Sequence, residues 1–465
     1  MIKNSSKKIK LLLINPWIYD FTAYDFWSKP LGLLYIAAIL RKVGYHIDYL
    51  DCLDRFDPVL TKKFTHTLSK TKNDGRGPFY KEKIPKPPSL KQIPRNYSRY
   101  GITEQIFQEK IEHYGKPDAV LITSIMTYWY PGVFRAIELV KQRYPDCPVI
   151  LGGIYATLCF QHALAYSGAD YVLRHSNLNT LIPLLQNIVA RPGSQTNQCS
   201  YNNDISPVLN DYPYPAWDLY PALGYVCLLT SRGCPNRCSY CASSLLNPEL
   251  EFRDPRKIAQ EIMYWKERKG IRNFAFYDDA LLVNAEKHFI PLLRELKKRN
   301  LDINYYTPNA LHARFITKPM AQLMLECGFK QIWLGLETVD PKLQQRTGNK
   351  VDNTSFLRSI KTLLQVGFSP EQIRVYLLIG LPEQSFISII DSINMVLDNG
   401  IKPYLAKFSP IPGTAIWKQA LKELGWQEPV DPLWHNDALM PYYSPHLNSE
   451  QYQKLKMLIK NFKFE

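Results

Sequence analysis

The chain has 465 residues, of which 46% are apolar and 21% charged, and its formal net charge is +15. This composition excludes a disordered chain, and the length suggests two or three domains. No apolar run reaches the roughly 20 residues that span a bilayer. The short apolar run behind the basic start ends at Asn15-Pro16, which predicts a first β-strand rather than a signal peptide and favours a cytoplasmic location.

The positive charge is concentrated in one stretch. Between Thr61 and Tyr100 there are eight Lys and three Arg against two acidic residues. This stretch belongs to a basic, Pro-rich segment at about 54–116, whose prolines disfavour regular structure. We expect a solvated insertion here, with contact to a polyanion as the alternative. Nucleic acid is not expected as a partner, because the charge is local rather than spread over a face. Peripheral contact with a membrane stays open.

Strand-like and helix-like runs alternate on either side of this insertion. The predicted strands are Lys10–Asn15, His46–Leu53, Ala119–Ile125, Val149–Leu151 and Tyr171–Leu173, and the predicted helices are Leu31–Val43 and Val133–Tyr144. Such alternation predicts a parallel, doubly wound α/β sheet, here a Rossmann-like domain over residues 1–190. Ligands of these folds lie beyond the carboxyl ends of the strands.

A polar linker is expected over residues 191–223, with Asp211–Leu223 extended between domains. Six strands follow, at Tyr225–Thr230, Asn273–Tyr277, Ile303–Thr307, Gln331–Leu336, Arg374–Ile379 and Leu405–Phe408. Helical segments separate them, so residues 224–414 contain six β/α steps. A complete (β/α)₈ barrel usually needs about 250 residues. The pattern therefore predicts a partial (β/α)₆ barrel with its active site at the carboxyl ends of the strands, followed by a helical C-terminal region at 415–465.

Three of the nine cysteines lie together in a loop just after the first of these strands. The sequence is Ser231-Arg-Gly-Cys234-Pro-Asn-Arg-Cys238-Ser-Tyr-Cys241, with the spacing C-x₃-C-x₂-C. Three thiolates can ligate three irons of a [4Fe-4S] cluster and leave the fourth iron open to a chelating ligand. A structural zinc site would need a fourth ligand, and no second cysteine pair is present. Zinc binding and simple packing are the alternatives.

The loop resembles the C-x₃-C-x-aromatic-C signature of the radical S-adenosylmethionine (SAM) superfamily, with Tyr240 as the aromatic residue. The similarity continues at Phe276–Asp279, Gly335–Thr338, Gly380–Glu383 and Ser409–Thr414, each at the end of a predicted strand. It implies that SAM chelates the open iron and is cleaved, after one-electron reduction, to a 5′-deoxyadenosyl radical. The residues that the resemblance assigns to SAM are Tyr240, Asp278, Glu337, Thr338, Gly380, Pro412 and Gly413.

Strand-end carboxylates can accept hydrogen bonds from the ammonium or ribose groups of SAM. Glu337 is the first candidate and Asp278 the second. The alternatives are a salt bridge from Glu337 to a barrel arginine such as Arg374, and a helix N-cap role for Asp279. We assign no catalytic residue beyond the cofactor-binding groups.

The N-terminal part resembles the cobalamin (B12)-binding domain that precedes many radical SAM barrels. The matching stretches are Asn15-Pro16, Pro30–Ala38, Ser124–Thr127 and Gly152–Thr157. The resemblance assigns to cobalamin the residues Ser124, Thr127, Gly152, Gly153, Tyr155 and Thr157. The Asp-x-His-x-x-Gly motif that supplies an imidazole to cobalt is missing, so no histidine is expected on the lower face. His175 as a ligand, and a vestigial domain without cofactor, are the alternatives.

These resemblances imply an enzyme that uses a [4Fe-4S] cluster, SAM and cobalamin. The leading hypothesis is methylation of an unactivated carbon of a small-molecule or lipid-like substrate, with flavodoxin or ferredoxin as the one-electron reductant. The first alternative is a cyclisation or rearrangement without methyl transfer. A non-enzymatic cobalamin- or metal-binding sensor is the alternative from another class.

Overall fold

The computed structural model describes residues 8–64, 70–175, 178–190 and 208–462. It divides into two compact units, Met1–Leu223 and Gly224–Glu465, and each unit has its own parallel sheet. The first part of the predicted linker, 191–207, lies outside the described residues. Within the described ranges, no helix is both long enough and apolar enough to cross a membrane.

The first unit alternates strands and helices. Its strands are β1 (Lys10–Asn15), β2 (Ile18–Asp20), β3 (His46–Asp51), β4 (Lys81–Lys83), β5 (Ser98–Tyr100), β6 (Ala119–Ile122), β7 (Val149–Leu151) and β8 (Tyr171–Val172). Its helices are α1 (Leu31–Lys42), α2 (Pro58–Lys63), α3 (Glu104–Tyr114), α4 (Tyr130–Arg143), α5 (Ile154–Leu158), α6 (Phe160–Tyr166) and α7 (Leu178–Ala190).

Five of these strands form a parallel sheet in the order β3-β1-β6-β7-β8. Strands β6 and β7 are buried at every residue, as expected where helices cover both faces of a parallel sheet. The strand order reverses direction at β1, so a switch point lies between β1 and β6, where doubly wound folds bind their ligands. The predicted doubly wound sheet is confirmed.

The basic segment 54–116 is more regular than the sequence predicts. Strands β4 and β5 join β2 in a three-stranded antiparallel sheet, and α3 supplies apolar residues to the core of the unit, among them Ile106 and Phe107. Helix α3 begins at the N-cap Thr103, whose side chain accepts a hydrogen bond from the Ile106 N–H. The prolines that argued against regular structure, Pro85 to Pro94, lie in the connection between β4 and β5, so the expectation of an irregular insertion is wrong.

The same segment contains a buried arginine. Arg55 is 1% exposed, and its guanidinium donates to the carbonyl of Gly75 at 2.9 Å, to the Thr71 hydroxyl at 2.7 Å and to the Asp25 carboxylate at 3.4 Å. A guanidinium has five donors, so one buried arginine can hold several loop segments together. Part of the local positive charge is therefore structural rather than solvated.

The segment 211–223 packs against the first unit instead of running free. A short 3₁₀ turn, Leu209–Asp211, leads into it, a second one spans Trp217–Leu219, and both Trp217 and Tyr220 are buried. The Tyr220 hydroxyl contacts the Asp51 carboxylate at the end of β3 and the Tyr49 hydroxyl. The expectation that this segment lies extended is wrong, because its aromatic side chains cover polar groups at the strand ends.

The second unit is built around six parallel strands. Its strands are β9 (Val226–Leu228), β10 (Ser231–Arg232), β11 (Glu251–Phe252), β12 (Asn273–Phe276), β13 (Asn304–Tyr306), β14 (Phe329–Glu337), β15 (Ile373–Ile379) and β16 (Pro403–Lys407). Its helices are α8 (Ser243–Leu246), α9 (Pro255–Lys269), α10 (Phe289–Arg299), α11 (Lys318–Cys327), α12 (Pro341–Arg346), α13 (Asn353–Gln365), α14 (Phe386–Asp398), α15 (Trp417–Leu424), α16 (Met440–Tyr443) and α17 (Ser449–Asn461).

The sheet order, β9-β12-β13-β14-β15-β16, follows the chain order, and every neighbouring pair is parallel. Helices α9, α10, α11, α13 and α14 connect successive strands, which confirms the predicted partial (β/α)₆ barrel. Strands β10 and β11 pair antiparallel as a small ribbon just beyond β9. The C-terminal region is helical from α15 to α17, also as predicted.

Candidate active site

The cysteine loop begins where β9 ends, at the carboxyl edge of the sheet. Cys234 and Cys238 are half-buried and Cys241 is exposed, and all three are free thiols. This edge is where barrel enzymes of this architecture place their active sites. The three thiols are thus accessible on one short loop at the expected end of the barrel.

Contacts from three other segments hold this loop. On one side, the β10–β11 ribbon fixes the residues before Cys234. On another, the Ser239 N–H donates to the Thr347 carbonyl at 3.2 Å, and the Ser239 carbonyl accepts from the Ile416 N–H at 3.0 Å. Gly348 lies so close that a Cβ there would come within 3.1 Å of the Cys238 Cα. The loop conformation is therefore determined by long-range contacts and not by the loop sequence alone.

The donor set fits an iron–sulfur cluster better than a single metal ion. Among the described residues, no three His, Cys, Asp or Glu side chains converge on one ion position. A zinc site needs four ligands around one ion, whereas each cysteine of a cubane binds a different iron. N–H donors also point at the sulfurs, from the Asn236 amide to Cys234 at 3.6 Å and from the Ser243 backbone to Cys241 at 3.4 Å. Such donors stabilise thiolate charge.

Burial and charge act in opposite directions on the thiols. Burial raises the pKa of Cys238, and the ammonium group of Lys350 opposes this by lowering it. Desolvation by the surrounding protein atoms also raises the pKa of the Cys241 thiol, although the residue has an exposed surface. Ligation requires thiolates, so a nearby cation and the N–H donors favour the form that binds iron.

Glu337 lies at the end of β14 in an unusual backbone conformation. Its φ is 67°, and the pairing of β14 with β15 shifts register between Gly335 and Glu337. Bulges of this kind re-aim a side chain, and a positive φ on a non-glycine residue is a strained feature that often marks a functional site. The carboxylate pairs with Lys350 at 3.1 Å, not with Arg374 as the structural alternative supposed.

Tyr240 completes this group. Burial raises the pKa of its phenol well above the usual value, and the negative charge of the neighbouring Glu337 carboxylate raises it further. The phenol therefore stays protonated beside Glu337. The fold thus brings the cysteine loop, with its Tyr240, close to Glu337 at the end of β14, and Lys350 joins them.

Asp278 has a structural environment. Its buried carboxylate accepts hydrogen bonds from the hydroxyls and backbone N–H groups of Thr230 and Ser231, and burial raises its pKa to about 6. These bonds fasten the end of β12 to the segment after β9, and most of them go to one carboxylate oxygen, Oδ1. Asp279 accepts from the Asn247 amide at 3.3 Å instead of capping a helix. The assignment of Asp278 to SAM stays a prediction.

The remaining SAM candidates lie at the ends of β14, β15 and β16. Thr338 is fully buried and accepts a hydrogen bond from the Asp340 N–H, so its hydroxyl serves the turn before α12. The Gly380 N–H donates to the Gln384 side chain at 2.8 Å. Pro412 is half-buried, and Gly413 packs near Leu245 of α8, which directly follows the cysteine loop. The turn at 412–413 thus lies beside the cysteine loop, in a position to form one wall of a site for a ligand bound at that loop.

In the first unit, the cobalamin candidates lie beyond β6 and β7. Gly153 has a φ of 90°, and a Cβ there would come within 2.6 Å of the Ser124 backbone, so only glycine fits. The Ser124 hydroxyl accepts from the Tyr155 N–H at 3.0 Å, and the Thr157 hydroxyl donates to the Gly153 carbonyl at 2.9 Å. These side chains join the strand ends to α5.

Two of the cobalamin candidates are turned inward. Thr127 is 2% exposed, and Tyr155 is fully buried with its hydroxyl 2.6 Å from His162 Nδ1. Both assignments stay predictions, and contact of these two residues with a cofactor would involve their backbone atoms. A Cβ added at Gly152 would have no other heavy atom within 4 Å. The space beside Gly152, at the end of β7, is therefore open to a ligand. His175, beyond β8, is exposed. At these strand ends, the groups available to contact cobalamin are thus the backbone atoms and the glycine residues.

Sequence reasoning missed Lys350 and the pair Asn236–His312. His312 is buried, its Nδ1 lies 3.1 Å from the Asn236 amide, and burial lowers its pKa to about 3, so the ring is neutral. Lys350 follows Thr347-Gly348-Asn349, and this polar tight turn after a short helix is the only local signal that could have drawn attention to it.

Comparison with known proteins agrees with this geometry. The model of the radical SAM superfamily matches residues 228–396, and the model of the B12-binding domain matches residues 93–182. The first match begins at the last residue of β9 and includes the cysteine loop. The second begins within the basic segment and includes α3 and the ends of β6 and β7.

Curated relatives include two methyltransferases and a cyclase. An uncharacterized methyltransferase of Pyrococcus horikoshii is 24% identical over 53% of this chain and 54% of its own length. The cytidylyl-2-hydroxyethylphosphonate methyltransferase of Streptomyces wedmorensis is 23% identical over 91% and 84%. The anaerobic magnesium-protoporphyrin IX monomethyl ester cyclase of Rubrivivax gelatinosus is 22% identical over 68% and 61%. The chain thus spans about half the length of the first relative and 61% of the cyclase.

Solved structures share the fold. The radical SAM methyltransferase TsrM from Kitasatospora setae, solved with cobalamin and a [4Fe-4S] cluster, superposes with a TM-score of 0.65 at 14% identity, over 93% of this chain and 82% of TsrM. The cobalamin-dependent radical SAM enzyme OxsB, solved with aqua-cobalamin and SAM, gives a TM-score of 0.58 at 12% identity, over 97% of this chain and 61% of OxsB.

The partial barrel with its three-cysteine loop, preceded by a doubly wound domain, defines an enzyme that uses a [4Fe-4S] cluster, SAM and cobalamin. The second unit thus carries a radical SAM domain, and the first unit carries a B12-binding domain.

Proposed function

We propose that this protein transfers a methyl group to an unactivated carbon of a small-molecule or lipid-like substrate. The observation that carries the proposal is the order of the two domains on one chain, a B12-binding domain followed by a radical SAM barrel with an intact cysteine loop. Two methyltransferase relatives support it. When bound, the three cofactors would supply reductive cleavage of a sulfonium and a carrier for methyl groups.

The chain's own residues would bind and orient these groups. Cys234, Cys238 and Cys241 would hold the cluster as thiolates. Glu337, held by the Lys350 ammonium, would accept hydrogen bonds from the ammonium of SAM, and the turn at 412–413 would border the adenine. In the first unit, the open end of β7 at Gly152 would receive cobalamin without a histidine ligand to cobalt. The domain boundaries 1–190, 191–223, 224–414 and 415–465 stay predictions.

A cyclase is the second candidate, because a magnesium-protoporphyrin IX ester cyclase is among the relatives. One incubation separates the two reactions. Cluster- and cobalamin-loaded enzyme, dithionite and methyl-labelled SAM are incubated with candidate substrate pools. A methyltransferase should form 5′-deoxyadenosine and S-adenosylhomocysteine together with a labelled product. Deoxyadenosine without S-adenosylhomocysteine would favour the cyclase, and formation of neither product with any pool would contradict both.

Glu337→Gln should weaken SAM binding at least tenfold while the cluster stays intact. A lost hydrogen bond to a charged group costs about 1.5–3 kcal/mol, which corresponds to that loss of affinity. Equilibrium dialysis with labelled SAM measures the binding. Glu383→Gln is the matched control, because Glu383 also has a positive φ, 60°, but pairs on the surface with Arg346. Equal affinity of wild type and Glu337→Gln would assign Glu337 to a structural ion pair.

We propose a cytoplasmic location and a flavodoxin or ferredoxin as electron donor. The described cysteines are free thiols, which favours a reducing compartment. Cell fractionation tests the location, and reduction of the cluster by each purified donor tests the partner.

A further inference from the structure

A buried ammonium group lies behind the cysteine loop. Lys350 has a side chain that is 14% exposed, and its Nζ lies 3.1 Å from the Glu337 carboxylate. The Nζ fills the space above Gly335, where a Cβ would come within 2.8 Å of it. Any other residue at 335 would displace the ammonium. Gly335 thus leaves the space that the ammonium occupies, and Glu337 supplies its partner.

The turn that carries Lys350 also supports the cysteine loop. Thr347 accepts the hydrogen bond from Ser239, and Gly348 packs against the Cys238 backbone. Lys350 follows two residues later, and its partner Glu337 lies close enough to Tyr240, the neighbour of Cys241, for its charge to raise the pKa of that phenol. One positive and one negative group of nearly equal burial, 14% and 13% exposed, therefore lie beside the same loop.

Buried charges interact strongly because solvent screens them little. The reduction potential of an iron–sulfur cluster depends on the net charge around it. A cation favours the reduced cluster, which carries one more electron, and an anion disfavours it. Lys350 and Glu337 should therefore act on the potential with opposite signs. No bond forms or breaks, and the electron comes from the external one-electron donor.

We propose that Lys350 sets the reduction potential of the cluster, by stabilising its reduced form and by neutralising Glu337. This inference rests on the proposed function, because it requires a cluster at Cys234, Cys238 and Cys241. Lys350 is a positioning residue in this proposal: it acts through its charge, with no contact to the reacting atoms.

The test is a redox titration of anaerobically reconstituted protein, with dithionite as reductant and paramagnetic resonance of the reduced cluster as readout. Lys350→Met should shift the reduction equilibrium at least tenfold toward the oxidised cluster, which is 59 mV for one electron. Glu337→Gln should shift it in the opposite direction, and Lys350→Arg should stay near wild type. The double variant Lys350→Met/Glu337→Gln, which has no uncompensated buried charge, should lie between the two single variants.

Lys342→Met is the matched control, because Lys342 is exposed on the neighbouring helix α12. The cluster in this variant should have the same reduction potential as in wild type. Shifts of the same sign in Lys350→Met and Glu337→Gln, or no shift in either, would overturn the inference while leaving the cluster assignment standing. If Lys350→Met holds no cluster, the double variant is compared with Glu337→Gln instead. The inference then requires a lower reduction potential in Lys350→Met/Glu337→Gln than in Glu337→Gln. Wild-type protein without a cluster would overturn the proposed function and this inference together.

Discussion

Protein in which Cys234, Cys238 and Cys241 are all replaced by Ala will hold no iron–sulfur cluster after anaerobic reconstitution. The three thiols are the ones that lie together on one loop of the barrel, and no group of three metal-ligating side chains converges on one ion among the described residues. The neighbouring contacts from Thr347 and Ile416 go to the loop backbone, so the substitutions should leave the fold intact. Iron and sulfide content and the visible absorbance measure the loss.

Cys327→Ala serves as the control for this experiment. Cys327 is also a free thiol, but it is buried at the end of α11 and donates to the Leu293 carbonyl. This variant should bind as much iron as wild type. Four irons per chain in the triple variant would show that the cluster, if present, is ligated elsewhere, and the assignment of the loop would be abandoned.

Arg253→Met should lower the free energy of unfolding of the second unit by about 3–5 kcal/mol, the usual cost of breaking a buried ion pair from one side. Arg253 is 3% exposed and its partner Glu261 is completely buried. The guanidinium also donates to the Leu229 carbonyl, between β9 and the cysteine loop. Without it, Glu261 is left as an unpaired carboxylate in the core. Urea denaturation, followed by tryptophan fluorescence, measures the change.

The loss should depend on pH in a defined direction. Burial already raises the pKa of Glu261, and the Arg253 charge opposes that rise. In Arg253→Met the pKa rises further, so the folded protein binds a proton that the unfolded chain releases, and stability falls as pH increases above the unfolded value. The destabilisation should therefore be smaller at pH 5 than at pH 8.

Two matched variants check the mechanism. Arg253→Met/Glu261→Leu should recover most of the stability, because no unpaired charge remains. Lys454→Met, which breaks the exposed pair with Glu450 on α17, should change stability by less than about 1 kcal/mol. If Arg253→Met and Lys454→Met cost the same, the buried pair contributes nothing special to the fold.

The sequence predicted both parallel sheets because their strands are short apolar runs separated by helices, a pattern that local physics determines. Cys234, Cys238 and Cys241 were predicted for a similar reason, since their spacing is itself the signal. Partners far apart in sequence were not predictable in this way. The sequence around Glu337 does not indicate whether Lys350 or Arg374 is its partner. The sequence around Asp278 does not indicate that Thr230 and Ser231 donate hydrogen bonds to its carboxylate.

The prediction for the basic segment 54–116 was wrong for another reason. Its prolines were correctly identified as breakers, but they lie between β4 and β5 and leave the regular elements undisturbed. Helix α3 has its own start signal at Thr103 and an apolar face through Ile106 and Phe107. The average composition of a long window does not show this short pattern. The predicted insertion therefore extended to residue 116 and included α3, which packs into the core of the first unit.

The packing of Tyr220 bears on how this protein could have been assembled from older parts during evolution. Lys29 is 4% exposed, 3.8 Å from Asp51, with its ammonium 4.6 Å from the Tyr220 ring. A gene segment ending at residue 190 would encode a sheet without this aromatic cover, and a buried lysine and aspartate would face water. A piece of the gene that keeps Lys29 and Asp51 covered therefore extends at least to Tyr220.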